Sequence, residues 1–386
     1  MNPSLLQSVR RELASGGPVV GDADILAALR RTGRAPVTGD ALLNLAEHLT
    51  GALSGAGPLQ PLLDSPDVTD VLVNGHESVW ADTGTGLRPT DITFPDAESL
   101  RDLAVRLAAA GGRRLDDAHP CTDVRLPDGT RLHAVLPPVA ATGPYLSLRT
   151  HRPVGFDLAQ LEVVGTVTAE AAEWIRRILA ARMTFIVTGG TGSGKTTLLR
   201  SLLGHVDPTE RIVIVEDSRE LAPTHPHTLT LESRQANVDG AGAVDMAALV
   251  RQALRMRPDR IVVGECRGAE VIELLTALNT GHEGSAGTLH ANTPADVPAR
   301  LAALAVPYGL SRQGLFALIA AAMRVVIHMR RIGAERVVSE IALLEADPDM
   351  GRLRVIPAWR NTGDNVVGRP RLKRLLDRAE RGESAC

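Results

Sequence analysis

A chain of 386 residues with 44% hydrophobic residues can bury two or three domain cores. Aromatic residues are only 2%, so those cores must rest on Leu, Val, Ile and Ala. A formal net charge of −3 excludes a general attraction to nucleic acid, and three cysteines, Cys121, Cys266 and Cys386, exclude a paired disulfide framework, which suits a reducing cytosol.

The start, Met1-Asn2-Pro3-Ser4-Leu5-Leu6-Gln7, has no basic segment followed by an apolar one, so no signal peptide is read there. Apolar runs such as residues 315–323 are too short to span a bilayer, and any membrane role is expected to be peripheral. Residues 1–58 read as a helical extension: Leu5, Leu6, Val9 and Leu13 fall at helical spacing, Ile25, Leu26 and Leu29 repeat it, and Asp40 suits a third helix cap. No chemistry is visible there.

The pattern changes at Leu59. Residues 68–73 read as a strand, Asn74-Gly75 as a turn, 78–81 as the returning strand and 92–94 as a third. Residues 98–110 read as a helix that Gly111-Gly112 ends. Residues 124–126 and 132–136 form a second hairpin about Asp128-Gly129, and 145–149 close the set. Residues 59–150 are thus a separate α+β domain. A linker over 151–157, with Pro153 and Gly155, favours an extended hinge.

Residues 158–345 alternate strand and helix. Thr168 is placed to cap a helix carrying Trp174, Ile175, Ile178 and Leu179. Strands are read at 184–188, 212–215, 261–263 and 287–289. That alternation argues a parallel sheet with helices on both faces, whose ligands bind beyond the carboxyl ends of the strands. Residues 346–386 read as a strand and a tail.

The first of these strands runs into Gly189-Gly190-Thr191-Gly192-Ser193-Gly194-Lys195-Thr196-Thr197, and a helix follows. Strand, glycine loop, Lys, Thr and helix make the phosphate-binding loop of nucleotide hydrolases. Glycines let backbone N–H groups face an anion, and the helix start adds partial positive charge. Lys195 would reach the β- and γ-phosphates of ATP, and the Thr196 hydroxyl would hold Mg²⁺. The chain has just two lysines, Lys195 and Lys373, so a drift towards arginine has spared this position, where a compact ammonium fits and a guanidinium does not.

Acidic residues stand just beyond two other strands. Glu216-Asp217 follows residues 212–215: Glu216 is placed to orient an attacking water, and Asp217 suits a helix cap. Glu265 follows 261–263 at the place of a second acidic motif, linked to Mg²⁺, with Gly264 where an Asp is usual. In Gly281-His282-Glu283-Gly284-Ser285-Ala286-Gly287-Thr288-Leu289-His290, two histidines flank a Gly/Ser-rich segment. Zinc lacks further ligands at suitable spacing, and contact of His282 and His290 with the γ-phosphate or its water is the better reading.

In this order the pieces resemble the secretion ATPases of type II and type IV systems, over about residues 60–345. The matching segments are the phosphate loop, the acidic box at 211–221, the atypical second acidic motif at 254–268 and the histidine box at 281–293. Val71-Leu72-Val73-Asn74-Gly75, Asp128-Gly129-Thr130-Arg131-Leu132-His133-Ala134-Val135-Leu136-Pro137-Pro138, Leu231-Glu232-Ser233-Arg234-Gln235-Ala236-Asn237 and Arg255-Met256-Arg257-Pro258-Asp259-Arg260 resemble the tight-adherence pilus-assembly (Tad) branch, CpaF/TadA-like. The resemblance implies an α/β, RecA-like P-loop ATPase domain behind the smaller α+β domain and the helical extension. It implies a cytoplasmic homo-hexamer, peripheral at the inner face of the membrane, that works with inner-membrane platform proteins. It implies Glu216 as the water-orienting carboxylate, Glu265 as the Mg²⁺-linked one, and Arg131 and Arg149 as phosphate-facing arginines. A Gly before Glu265 is normal for this family. The tail from Arg360 is not secured by the likeness; a solvated, frayed helix is expected there, with contact to anionic lipid the alternative. The rival functions are a conjugation-type DNA-transfer ATPase, for which no basic stripe is seen, and a nucleotide-binding scaffold without turnover.

Overall fold

The computed structural model describes residues 55–84, 86–150, 155–234, 236, 241–347, 352–364 and 366–381. The helices expected before residue 55 and the hinge at Pro153 lie outside the described residues. The chain divides into two compact units, Met1–Arg152 and Pro153–Cys386.

The first unit runs α1 (Gln60–Asp64), β1 (Asp70–Asn74), β2 (Val79–Asp82), β3 (Leu87–Pro89), α2 (Ala97–Ala110), β4 (Cys121–Arg125), β5 (Arg131–Val135) and β6 (Tyr145–Arg149). The six strands form an antiparallel sheet in the order β3-β2-β1-β6-β5-β4. Alternate residues point inward: Val71, Val73, Leu132, Ala134, Leu146 and Leu148 are buried against Leu100, Leu103 and Leu107 of α2. Asp96 caps α2 by accepting from the Ser99 N–H at 2.7 Å. Gly111 ends it where a Cβ would lie 2.0 Å from Val124 Cγ2, so only glycine lets the helix end approach β4. The third strand is Leu87–Pro89, not residues 92–94. Pro89 lacks an N–H and tolerates this exposed edge, while Phe94 turns inward as a core residue.

The second unit runs α3 (Leu158–Val163), α4 (Ala169–Ala180), β7 (Phe185–Gly189), α5 (Lys195–Leu203), β8 (Ile212–Glu216), β9 (Thr228–Glu232), α6 (Met246–Ala253), β10 (Arg260–Val263), α7 (Glu270–Leu278), β11 (Ala286–His290), α8 (Val297–Ala305), α9 (Arg312–Ala322), β12 (Val325–Ile332), β13 (Glu335–Asp347), β14 (Arg352–Arg360) and α10 (Arg369–Glu380). Its sheet has the order β14-β13-β12-β7-β11-β10-β8-β9. The six strands from β12 to β9 are parallel, and β13 and β14 return antiparallel.

Both faces of this sheet are covered. Phe185, Val187, Ile212 and Ile214 face one core with α4, α5 and α10. Ile186, Val213, Val215 and Ile261 face the other with α6, α7, α8 and α9. This is why the strands read as continuous apolar runs rather than alternating ones. At the start of β10, Arg260 is buried; its Nε and a terminal nitrogen donate to the two oxygens of Glu210 at 2.8 and 2.9 Å. The same guanidinium also donates to the carbonyls of Leu179 and Gly284.

The tail differs from its sequence reading. The sheet continues through Arg360, so a boundary after residue 345 falls inside β13. The segment beyond is not a frayed helix. Leu372 and Leu376 of α10, one turn apart, are fully buried. Arg177 of α4 donates to Asp377 and Glu380 at 2.7 Å, and the guanidiniums of Arg177 and Arg369 lie 5.8 and 6.0 Å from the Trp174 ring centroid. The basic composition of this helix hid its apolar seam. Leu376→Ala is expected to cost about 2–5 kcal/mol in denaturant unfolding and to expose the C-terminal segment to early proteolysis.

Candidate nucleotide-binding site

The parallel register brings the ends of β7, β8, β10 and β11 to one edge, and the charged groups of the site hang from it. The glycine loop leaves β7 with Gly189 at φ +152°, where a Cβ would meet the Met329 carbonyl oxygen at 2.5 Å. Gly194, at φ +92°, turns the chain into α5. A Cβ on Gly190 would meet nothing within 4 Å, so there is open space over the loop.

Lys195 is buried at the start of α5. Its Nζ donates to the carbonyls of Gly189 at 3.1 Å and Gly190 at 2.9 Å, and lies 3.4 Å from His290 Nδ1. Burial lowers its pKa, and the charge of Glu265 opposes that shift. At the end of β11, His290 Nε2 lies 2.8 Å from Glu265 Oε1, though without hydrogen-bond alignment. Burial, and then the charge of Lys195, hold His290 below the ordinary imidazole range, so it is neutral near pH 7. Arg267 donates to the other oxygen of Glu265 at 2.6 Å.

Glu216 ends β8 and is 3% exposed. Its Oε1 accepts the N–H groups of Glu220 at 3.0 Å and Leu221 at 2.8 Å. Its Oε2 is buried without a hydrogen-bond partner. Burial pushes this carboxyl up to about 7, against the pull of those two N–H groups. Gly264 lies alongside, and a Cβ there would meet Glu216 Cγ at 2.7 Å. The glycine in place of the usual Asp is therefore what makes room for Glu216. The Gly264 carbonyl accepts the Thr288 hydroxyl at 2.6 Å, which fixes the strand end.

The structure thus groups Lys195, Glu265 and His290 with the loop, and sets Glu216 against Gly264 on the same edge. It does not bring His282 there. His282 precedes β11 at the opposite edge, roughly 13 Å of strand away from His290, and bonds the Ala277 carbonyl at 3.1 Å. The two histidines therefore cannot share a zinc ion or a phosphate within one chain. No helix starts at Asp217; it accepts from the Ser233 hydroxyl at 3.1 Å instead. Thr196 is half-buried in the first turn of α5, and Thr191 and Thr197 are exposed.

In the first unit, β4, β5 and β6 place Arg125, Arg131 and Arg149 directly opposite one another in register. Arg149 also pairs with Asp70 at 3.0 Å.

Several neighbours escaped the sequence reading. Arg267 is two residues from Glu265, a spacing that gave a signal. His328 of β12, buried, lies 2.8 Å from the Thr188 hydroxyl; being an isolated residue in an apolar strand, it gave none. Arg331 and Arg336 flank the turn at Gly333 and lie against the loop.

The residues fit a nucleotide with magnesium. Among the described residues no cluster of three His, Cys, Asp or Glu could hold a metal by itself. Magnesium at a phosphate site does not need one, because a hydroxyl, a carboxylate, water and phosphate oxygens complete its shell. Thr196 and Glu265 are the hydroxyl and carboxylate that would take that part.

The sequence pattern of the family described as "Type II/IV secretion system protein" matches residues 52–345. A putative conjugal transfer protein of Mycobacterium tuberculosis is 51% identical over 348 residues, covering 88% of this chain and 94% of that protein. Among solved structures, the ATPase DotB of Legionella pneumophila is similar with a TM-score of 0.52 and 22% identity, covering 76% of this chain and 81% of its own. The pilus retraction motor PilT with bound ADP is similar with a TM-score of 0.50 and 20% identity, covering 82% of this chain and 84% of its own. At these identities the two structures speak for the fold alone.

The Glu216 carboxyl gives a pH signature. Between its unfolded value of 4.5 and about 7, the unfolded chain releases a proton that the folded chain retains. Stability therefore falls as pH rises through that window, by roughly 3 kcal/mol at about 1.4 kcal/mol per unit. Glu216→Gln should remove that slope in urea unfolding measured from pH 4.5 to 8.

Proposed function

This chain belongs to the type II/IV secretion system protein family, and from that premise we propose that it hydrolyses ATP as a ring-shaped homo-hexameric motor. The ring works at the cytoplasmic base of a pilus-assembly or secretion machine and acts on inner-membrane platform proteins. The single observation that carries turnover is Glu216. A buried carboxylate with one oxygen unpartnered, at a strand end on the edge that bears the phosphate loop, is costly to fold and suited to hold a water. A scaffold without turnover has no use for that cost.

The chemistry follows from the residues. The loop amides and the start of α5 receive the phosphates. Lys195 exchanges the Gly189 and Gly190 carbonyls for phosphate oxygens. Thr196 and Glu265 would hold magnesium, which would neutralise phosphate charge when bound. Glu216 accepts a hydrogen bond from the attacking water through Oε2, and its pKa near 7 suits proton transfer at neutral pH. His290, neutral between Lys195 and Glu265, is placed to report the state of the phosphate end.

The tight-adherence pilus branch remains our finer reading, on the motifs at 71–75, 128–138, 231–237 and 255–260. The conjugal-transfer name of the mycobacterial relative favours a second one, a DNA-transfer ATPase. The net charge of −3 counts against direct DNA contact, and a salt-dependent mobility shift by the pure protein would favour it.

In a phosphate-release assay, Lys195→Ala is expected to lose turnover, and Glu216→Gln and Glu265→Gln to lose it while still binding ATP. Arg131→Ala and Arg149→Ala are expected to slow it. Full activity in the first three variants would overturn the assignment.

A further inference from the structure

The β12–β13 hairpin carries two cations that the site described above does not use. Arg331 and Arg336 stand directly opposite each other in register. Like charges so placed repel. Neither has a carboxylate at ion-pair distance among the described residues; Arg331 Nε donates to the Gly333 carbonyl at 3.1 Å. Arg336 Nε donates to the Gly192 carbonyl at 3.0 Å, at the crest of the phosphate loop. A Cβ on Gly192 would lie 3.8 Å from an Arg331 terminal nitrogen, and one on Gly194 would lie 3.4 Å from Arg336 Cδ. Two guanidiniums without acidic partners, packed against a loop built for phosphate, call for an anion between them.

Their side of the loop says which anion. β11 flanks β7 on one side and β12 on the other. The carboxylates Glu216 and Glu265 belong to strands beyond β11; the arginines come from β12 and β13. The reacting end of a triphosphate belongs with the carboxylates. We infer that Arg331 and Arg336 form a second cationic wall of the nucleotide site and take the non-reacting end of the polyphosphate, the part that ATP and ADP share. Arg336 also positions the loop, because it holds the Gly192 carbonyl.

This inference rests on the nucleotide reading, and the test separates the two. Fluorescent ADP and ATP analogues are titrated against the full chain and against Arg331→Ala, Arg336→Ala, Arg336→Gln and Arg336→Lys. Each Ala variant should bind both nucleotides about ten-fold more weakly, the effect of one charge-assisted contact. The loss should appear in KM rather than in kcat. Arg336→Gln, which keeps a donor for Gly192 without the charge, should be as weak as Ala, and Arg336→Lys should recover most of the affinity. Unchanged affinity in Arg331→Ala and Arg336→Gln would overturn the inference, as would a loss for ATP that spares ADP. Should an Ala variant fail to fold, the Gln and Lys pair decides alone. If the parental chain binds neither nucleotide, the nucleotide reading fails, and this one with it.

Discussion

The register between β8 and β10 governs the chemistry of the second unit. Val215 pairs with Val263, so the next residues, Glu216 and Gly264, meet side by side at the end of the sheet. The buried carboxyl of Glu216 is oriented by two backbone N–H groups and by the absence of a side chain on its neighbour. Around it the other charges form a short relay: Lys195 to His290, His290 to Glu265, Glu265 to Arg267. Within it Arg267 offsets the charge of Glu265, while burial and Lys195 hold His290 neutral.

The sheet supplies rigidity for that edge. Its strands are buried on both faces, and Arg260 with Glu210 is buried at the opposite edge. The helix that ends the described chain adds to this frame. Leu372 and Leu376 enter the same core as β7, and Arg177 secures the outside. Against this frame the phosphate loop keeps Lys195 bonded to carbonyls that a phosphate can replace.

Much of this was legible in the residues. The apolar runs before Gly189, Glu216 and Glu265 mark strands buried on two faces, and open parallel sheets place ligands at their carboxyl ends. What was not legible lay in three-dimensional neighbours. His282 and His290 are close in sequence, but a strand runs between them and separates them by its own length. β12 to β14 carry many arginines, so their pairing and their approach to the loop left no periodic trace. The edge strand Leu87–Pro89 is exposed throughout and offered no alternation to read.

The space left by Gly264 constrains how this chain can change. Restoring the customary acidic residue at that spot would drive a side chain into Glu216, 2.7 Å from its Cγ. A side chain at residue 264 thus requires Glu216 to leave its present rotamer, so the width of that one backbone gap sets where the carboxyl can stand.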